Sequence, residues 1–350
     1  MDKRALEELV RSGEVISERS FSELDLSDAD LRGGIFEKLS LVRTRLAGAR
    51  LEEAVFVGCD LSGAELGGAN LSYATFSDCS MPGARLAKVN APMARLLDCD
   101  LEKAVLDGAE LLVTTFIRCK LPGASFAGAQ LDRAQLLEAT LEGTSFVGAS
   151  LKQVVLYGAD LRAALLRGAR YENVIFNKVE LSGADLSQLQ LPLCQFQDAR
   201  LDGADFSGAR LEQCNFKSAE LRGARFDGAD ATRAMFAQAH LEKASFRGAK
   251  LREALLAEAI APEADFSDAN AEGSVFVGAI CPGAKFVGAN LKHAQLGNAD
   301  VRGADFSGAN LLLARLHRMQ EDGAIFGPGR LAALGTDEDL AEAETWEASS

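Results

Sequence analysis

The chain has 350 residues, 48% hydrophobic, 7% aromatic and 25% charged, with a formal net charge of −14. An acidic chain is not built to hold nucleic acid or anionic membrane surfaces by charge, and no apolar stretch approaches a membrane span. The first residues lack the apolar core of a secretory signal, so a cytoplasmic location is expected.

Residues 2–12 predict a short amphipathic helix, with Asp2 as N-cap, Leu6, Leu9 and Val10 on one side and Gly13 as the stop. From Phe21 onward a different rule takes over. All nineteen phenylalanines sit at residue numbers ending in 1 or 6, and leucine fills most other positions of that class. The frame never slips as far as Phe326, so sixty-two five-residue units run head to tail. Neither a helix nor a flat strand has a period of five, so the apolar centre returns inward once per short segment and turn. The chain reads as a solenoid, and residues 1–20 are expected to act as a helical cap over its exposed end.

Cys59, Cys79, Cys99 and Cys119 recur every twenty residues, and Cys194 and Cys214 repeat that spacing, which indicates four units per coil. With coils about 4.8 Å apart, some fifteen of them would extend roughly 75 Å. Six of the seven cysteines occupy small inward positions and Cys281 replaces a centre, so buried free thiols are expected. Glu321 breaks the rule at a centre position and Gly327-Pro328-Gly329 comes soon after, so the repeats are expected to span 21–326. The acidic tail, 327–350, is open between one or two helical turns and disorder, and its Trp346, the only tryptophan, is placed to dock on the last coil or on a partner.

Two positions before most centres stands alanine, and Asp, Asn or Ser commonly comes just before it. Ala204-Asp205-Phe206-Ser207-Gly208-Ala209 and Ala304-Asp305-Phe306-Ser307-Gly308-Ala309-Asn310-Leu311 show the pattern. The chain resembles the pentapeptide-repeat family, whose consensus is Ala-(Asp/Asn)-Leu-x-x. The resemblance implies an all-β fold, a right-handed quadrilateral β-helix with four units per coil. The centre and the small residue before it would point inward, and the other three positions outward.

The four faces, with centres such as Leu61, Leu66, Leu71 and Phe76 for faces 1 to 4, are not alike. Glycine two after the centre is frequent on faces 1 and 2 and rare on faces 3 and 4, so the first two should have the smoother corners. Pro82-Gly83, Pro122-Gly123 and Pro282-Gly283 are the pairing a type II turn wants. Face 4 carries an apolar stripe beside its centres, and Ile117, Leu137, Val155, Tyr157 and Ile175 are the candidate surface for a protein partner or for self-association.

Catalytic chemistry is hard to place on this pattern. His240, His293 and His317 fall at outward positions on three different faces, and no zinc, phosphate-loop or nucleophile-elbow motif occurs. No enzyme activity, cofactor or metal is expected. The first reading is a protein–protein interaction scaffold or adaptor; resemblance to long bacterial pentapeptide-repeat chains implies a link to a secretion system. The alternative rests on family members that mimic duplex DNA, bind DNA gyrase or topoisomerase and protect it from inhibitors. Its candidate surface is the acidic column Asp60, Asp100, Asp160, Glu180, Glu220 and Asp300 on face 1. Against it, a 75 Å stretch of duplex carries roughly 44 charges, whereas the repeats carry a net of about −8 with Lys and Arg on every face.

Overall fold

The computed structural model describes residues 2–344. It divides into two compact units, residues 1–180 and 181–350. Both are parallel β-solenoids in which residue i pairs with residue i + 20, so four five-residue segments close each turn. Centres and the small residues two before them are buried almost throughout, as the Ala-x-centre pattern requires.

The backbone hydrogen bonds explain the consensus. The N–H of a centre donates to the next turn, as Phe21 N to Ser40 O at 2.7 Å, and the residue before it donates to the previous turn, as Arg45 N to Leu24 O at 2.9 Å. The corner residue donates onward (Glu23 N to Val42 O, 2.9 Å), and the residue after it closes a turn back to its own centre (Leu24 N to Phe21 O, 3.1 Å). One N–H of the five, just after the centre, is left over, and a buried or crowded amide needs an acceptor. Asp or Asn just before the centre supplies it. Ser207 N donates to Asp205 Oδ1 at 2.8 Å, Ser267 N to Asp265 Oδ1 at 2.9 Å and Ser72 N to Asn70 Oδ1 at 3.1 Å.

Corners are left-handed on all four faces. Positive φ is found at glycines such as Gly208 (65°) and equally at Lys243 (58°), Glu253 (56°) and Val113 (58°). The contrast between faces rich and poor in glycine therefore concerns strain and side chains, not the sign of φ at the corner.

Unit 1 opens with α1 (Lys3–Arg11), capped by Asp2, whose carboxylate accepts from Ala5 N at 3.0 Å. Leu6 and Val10 are buried, the Glu7 carboxylate accepts from Asp30 N at 3.0 Å, and Lys3 reaches the Ser27 carbonyl. The helix thus satisfies edge groups of the first turn. Seven short strands then stack in register on face 4: β1 (Val15–Ser17), β2 (Ile35–Glu37), β3 (Val55–Val57), β4 (Thr75–Ser77), β5 (Arg95–Leu97), β6 (Thr115–Ile117) and β7 (Gln135–Leu137). Pairing begins at Val15↔Ile35, so the ladder starts earlier than the 21–326 span read from the repeats. Two further strands, β8 (Ser150–Lys152) and β9 (Arg170–Glu172), pair on face 3.

Along β2 to β5 the corners are open bends, and cysteine thiols serve the centre carbonyls instead. Cys59, Cys79, Cys99 and Cys119 each donate to a carbonyl one turn earlier, Phe36, Phe56, Phe76 and Leu96, at 3.3–3.5 Å. All seven cysteines are free and buried. Thr44, Thr114 and Thr144 use the same inward position and bond to Phe21, Ala91 and Leu121 carbonyls at 2.7–2.9 Å.

Unit 2 is held by aromatic packing. Phe206, Phe226, Phe246, Phe266, Phe286, Phe306 and Phe326 stack on face 2 with centroids 4.6–5.0 Å apart. Phe196, Phe216 and Phe236 form a second stack on face 4, and the two columns meet edge to face at 5.5–5.7 Å from Phe216 to Phe246. Both arrangements suit the ring quadrupole. Strands β10 (Asp305–Phe306) and β11 (Ile325–Phe326) pair near the end. After a 3₁₀ turn at Pro328–Ala332, Leu334 bridges Arg315, so the ladder continues past 326 with its register shortened by one. Glu321 accepts from Arg330 at 3.1 Å, and helix α2 (Glu338–Glu344) leans on Arg318 and His317 through Glu344. Trp346 lies outside the described residues.

Candidate interaction surfaces

Five-residue segments wound around a filled core leave function to the outer positions. The face 4 candidates all lie in unit 1. Leu97, Ile117 and Leu137 occupy the same place on β5, β6 and β7, paired Leu97↔Ile117 and Ile117↔Leu137. Tyr157 holds that place in the next turn, where its carbonyl accepts from Glu138 N at 2.9 Å. Val155 and Ile175 bridge each other on the other side of the centre column. The five candidates are therefore neighbours in space, and Leu97 extends their row. Ile117, Leu137, Val155 and Ile175 are half-buried, Tyr157 is 39% exposed, and the Lys178 ammonium sits 5.3 Å from the centre of its ring.

The acidic candidates are arranged differently. Ser80, Lys120 and Thr140 interrupt the column between Asp60 and Asp160 in unit 1, where Asp160 bridges Glu180, and His240, Ile260 and Ile280 separate Glu220 from Asp300 in unit 2. Asp60 and Asp100 accept from Ser62 N at 2.9 Å and Glu102 N at 3.0 Å. Asp160, Glu220 and Asp300 each hold an arginine two residues on, Arg162, Arg222 and Arg302, at 2.6–2.7 Å. Those guanidinium hydrogen bonds hold all three carboxyls below the usual carboxylate range. The column serves its own turns and ion pairs as much as it faces outward.

His240, His293 and His317 stand on faces 1, 3 and 4 respectively. His317 is engaged: Asp337 N donates to its Nδ1 at 3.2 Å, so Nε2 carries the proton facing Glu344 at 3.2 Å. No helix among the described residues is long and apolar enough to cross a membrane.

One column is not evident from the apolar stripe beside the face 4 centres. Tyr73, Met93 and Val113 sit at successive face 3 corners of unit 1, and Tyr73 and Met93 are 57% and 44% exposed. The signal in the letters is that corners elsewhere mostly hold glycine or polar residues.

A parallel solenoid with a five-residue beat and a filled core defines a repeat scaffold. Models described as pentapeptide repeats match in eight copies over residues 25–102, 114–170 and 249–318, and a pentapeptide repeat region matches residues 169–256. Together they leave little of the solenoid unmatched, and the chain belongs to the pentapeptide-repeat family.

No curated protein matches the sequence. Among solved structures the chain is similar to QnrB1, a plasmid-mediated fluoroquinolone resistance protein, at 18% identity and TM-score 0.44, covering 55% of this chain and 92% of that one. It is also similar to HetL, involved in heterocyst differentiation regulation in the cyanobacterium Nostoc sp. strain PCC 7120, at 27% identity and TM-score 0.22, covering 78% and 96%. Rfr23 from the cyanobacterium Cyanothece 51142 matches at 21% identity and TM-score 0.20, covering 45% and 91%.

Proposed function

We propose that this chain is a non-enzymatic scaffold whose face 4 in unit 1 binds a protein partner. The observation that carries the reading is the run Leu97, Ile117, Leu137 and Tyr157, one apolar side chain per turn in successive turns of one face. Val155 and Ile175 widen it. β-Branched and aromatic residues suit a flat ladder on their own account, yet unit 1 has polar residues at the same places, Ser17, Glu37 and Ser77. The ladder therefore does not demand apolar side chains there, and a protein contact gives them a reason.

The alternative, a DNA mimic acting on gyrase or topoisomerase through face 1, is supported by the net charge alone. The arginines paired to Asp160, Glu220 and Asp300 weigh against it. Native co-purification from the host, identified by mass spectrometry, separates the readings when wild type is compared with Ile117→Glu/Tyr157→Glu/Ile175→Glu. A partner lost only in the folded triple variant supports face 4. Gyrase or topoisomerase captured equally by both proteins refutes the face 4 reading.

A further inference from the structure

Large apolar side chains at left-handed corners, among the described residues, all follow face 3 centres. Among the described residues, thirty-six corner positions hold a residue other than glycine at positive φ. Five of these are large and apolar, namely Tyr73, Met93, Val113, Leu193 and Leu313, and all five lie two residues after a face 3 centre. A side chain is disfavoured in this conformation, and a β-branched one most of all. Glycine fills the same corner without strain at Gly33 and Gly273. Three such residues stand in successive turns and add strain to the fold, Tyr73 and Met93 with exposed side chains and Val113 half-buried.

Leu112, 46% exposed, adds to the ridge beside Val113. Arg95 stands two residues after Met93 and is flanked on the paired strands by Thr75 and Thr115. Its side chain is exposed, and among the described residues it has no ion-pair partner. The corner is therefore an apolar ridge around one unpaired cation.

We propose that this ridge binds residues 345–350 of a second copy of the chain. That segment carries Trp346 next to Glu347, and the stretch 337–350 holds six acidic residues and no basic one. An indole fits the Met93 thioether and the Tyr73 ring, and a neighbouring carboxylate fits the Arg95 guanidinium. Trp and Arg are the residue types that most often anchor an interface. The contact joins different surfaces of two copies and is heterologous. The proposal rests on the scaffold reading but uses another column and another occupant, so its failure leaves the face 4 test untouched.

Trp346 is the only tryptophan, so its emission reports the contact directly. The experiment is tryptophan emission and sedimentation velocity of the full chain over a concentration series. Wild type is expected to show shielded, blue-shifted emission and associated species at high concentration, both lost on dilution. Met93→Glu and Arg95→Glu should weaken association about tenfold or more, and Arg95→Glu combined with Glu347→Arg should restore it. Val113→Gly, which relieves strain while deleting a ridge side chain, should weaken association with the fold stabilised, which separates contact from folding. Exposed-type emission at every concentration overturns the proposal. So does shielding that dilution leaves unchanged, or association that survives removal of residues 345–350.

Discussion

Replacing Phe246 with alanine should remove a large share of the stability of unit 2. The ring is fully buried. It stacks on Phe226 at 4.6 Å and Phe266 at 5.0 Å, and meets Phe236 edge-on at 5.5 Å and 87°. A buried Phe→Ala change costs about 3–5 kcal/mol, and favourable aromatic pairs add about 0.5–1.5 kcal/mol each beyond burial. Three pairs are lost together, and a close-packed column with neighbours fixed by the ladder has little room to collapse, so the upper end, about 5 kcal/mol, is expected. Phe246→Leu keeps much of the buried volume but loses the same three ring pairs, so an intermediate cost of about 2–3 kcal/mol is expected. Far-UV circular dichroism in a urea series measures the loss, and hydrogen exchange locates it, since solenoid turns depend chiefly on their neighbours. An alanine variant within about 1 kcal/mol of wild type would refute the continuous aromatic column.

Other consequences are smaller and separable. Thr144→Val deletes the 2.7 Å donation to the Leu121 carbonyl inside the wall of unit 1 and should cost about 1–2 kcal/mol in urea unfolding. Val113→Gly should stabilise unit 1 by about 0.5–1 kcal/mol, because φ is +58° there, whereas Gly248→Ala, at φ +62° with nothing within 4 Å of a built Cβ, should cost about 1 kcal/mol from strain alone. Acid should destabilise the fold in a defined window. Asp25 is lowered to about 2 by its hydrogen bonds from Ser27, Asp305 is lowered by Ser307, and Asp160 and Asp300 are lowered by Arg162 and Arg302. A depressed folded value means stability that is present above the unfolded carboxylate value and lost as pH falls through the folded one. Urea midpoints should therefore drop mainly between about pH 4 and pH 2, and a flat profile there would count against these bonds.

The solenoid was legible because the core takes an apolar residue at every fifth position, as Leu61, Leu66 and Leu71 show, and because every twentieth residue from Phe206 to Phe326 is phenylalanine. The N-terminal helix was legible from Asp2, Leu6, Val10 and Gly13 for capping and amphipathic reasons. The first turn was not, since Glu14 stands where alanine marks later units, yet Ile16 is buried as a centre. Nor was the pairing of Leu334, because the 3₁₀ turn after Gly327 drops one residue from the register and only geometry shows where the chain returns. Open bends at the face 4 corners of β1 to β7 and hydrogen-bonded turns farther along face 4 arise from the same kind of letters; the Cys79 thiol serves the Phe56 carbonyl, whereas the turn amide Ala219 N serves that of Phe216. Of the surfaces, the face 4 stripe could be read as a column once twenty residues were known to make a turn. The exchange of charge within Asp160–Arg162 and Asp300–Arg302 depends on rotamers and could not.

The most direct measurement of the central claim is hydroxyl-radical footprinting of the purified chain with and without its co-purified partner. Oxidation of Leu97, Ile117, Leu137 and Tyr157 should fall on binding, while Leu165 and Ile280, exposed at 55% and 44% away from that row, should stay unchanged. Protection confined to face 1 around Asp60, Asp100 and Asp160, with the face 4 row oxidised as in the free chain, would contradict the account.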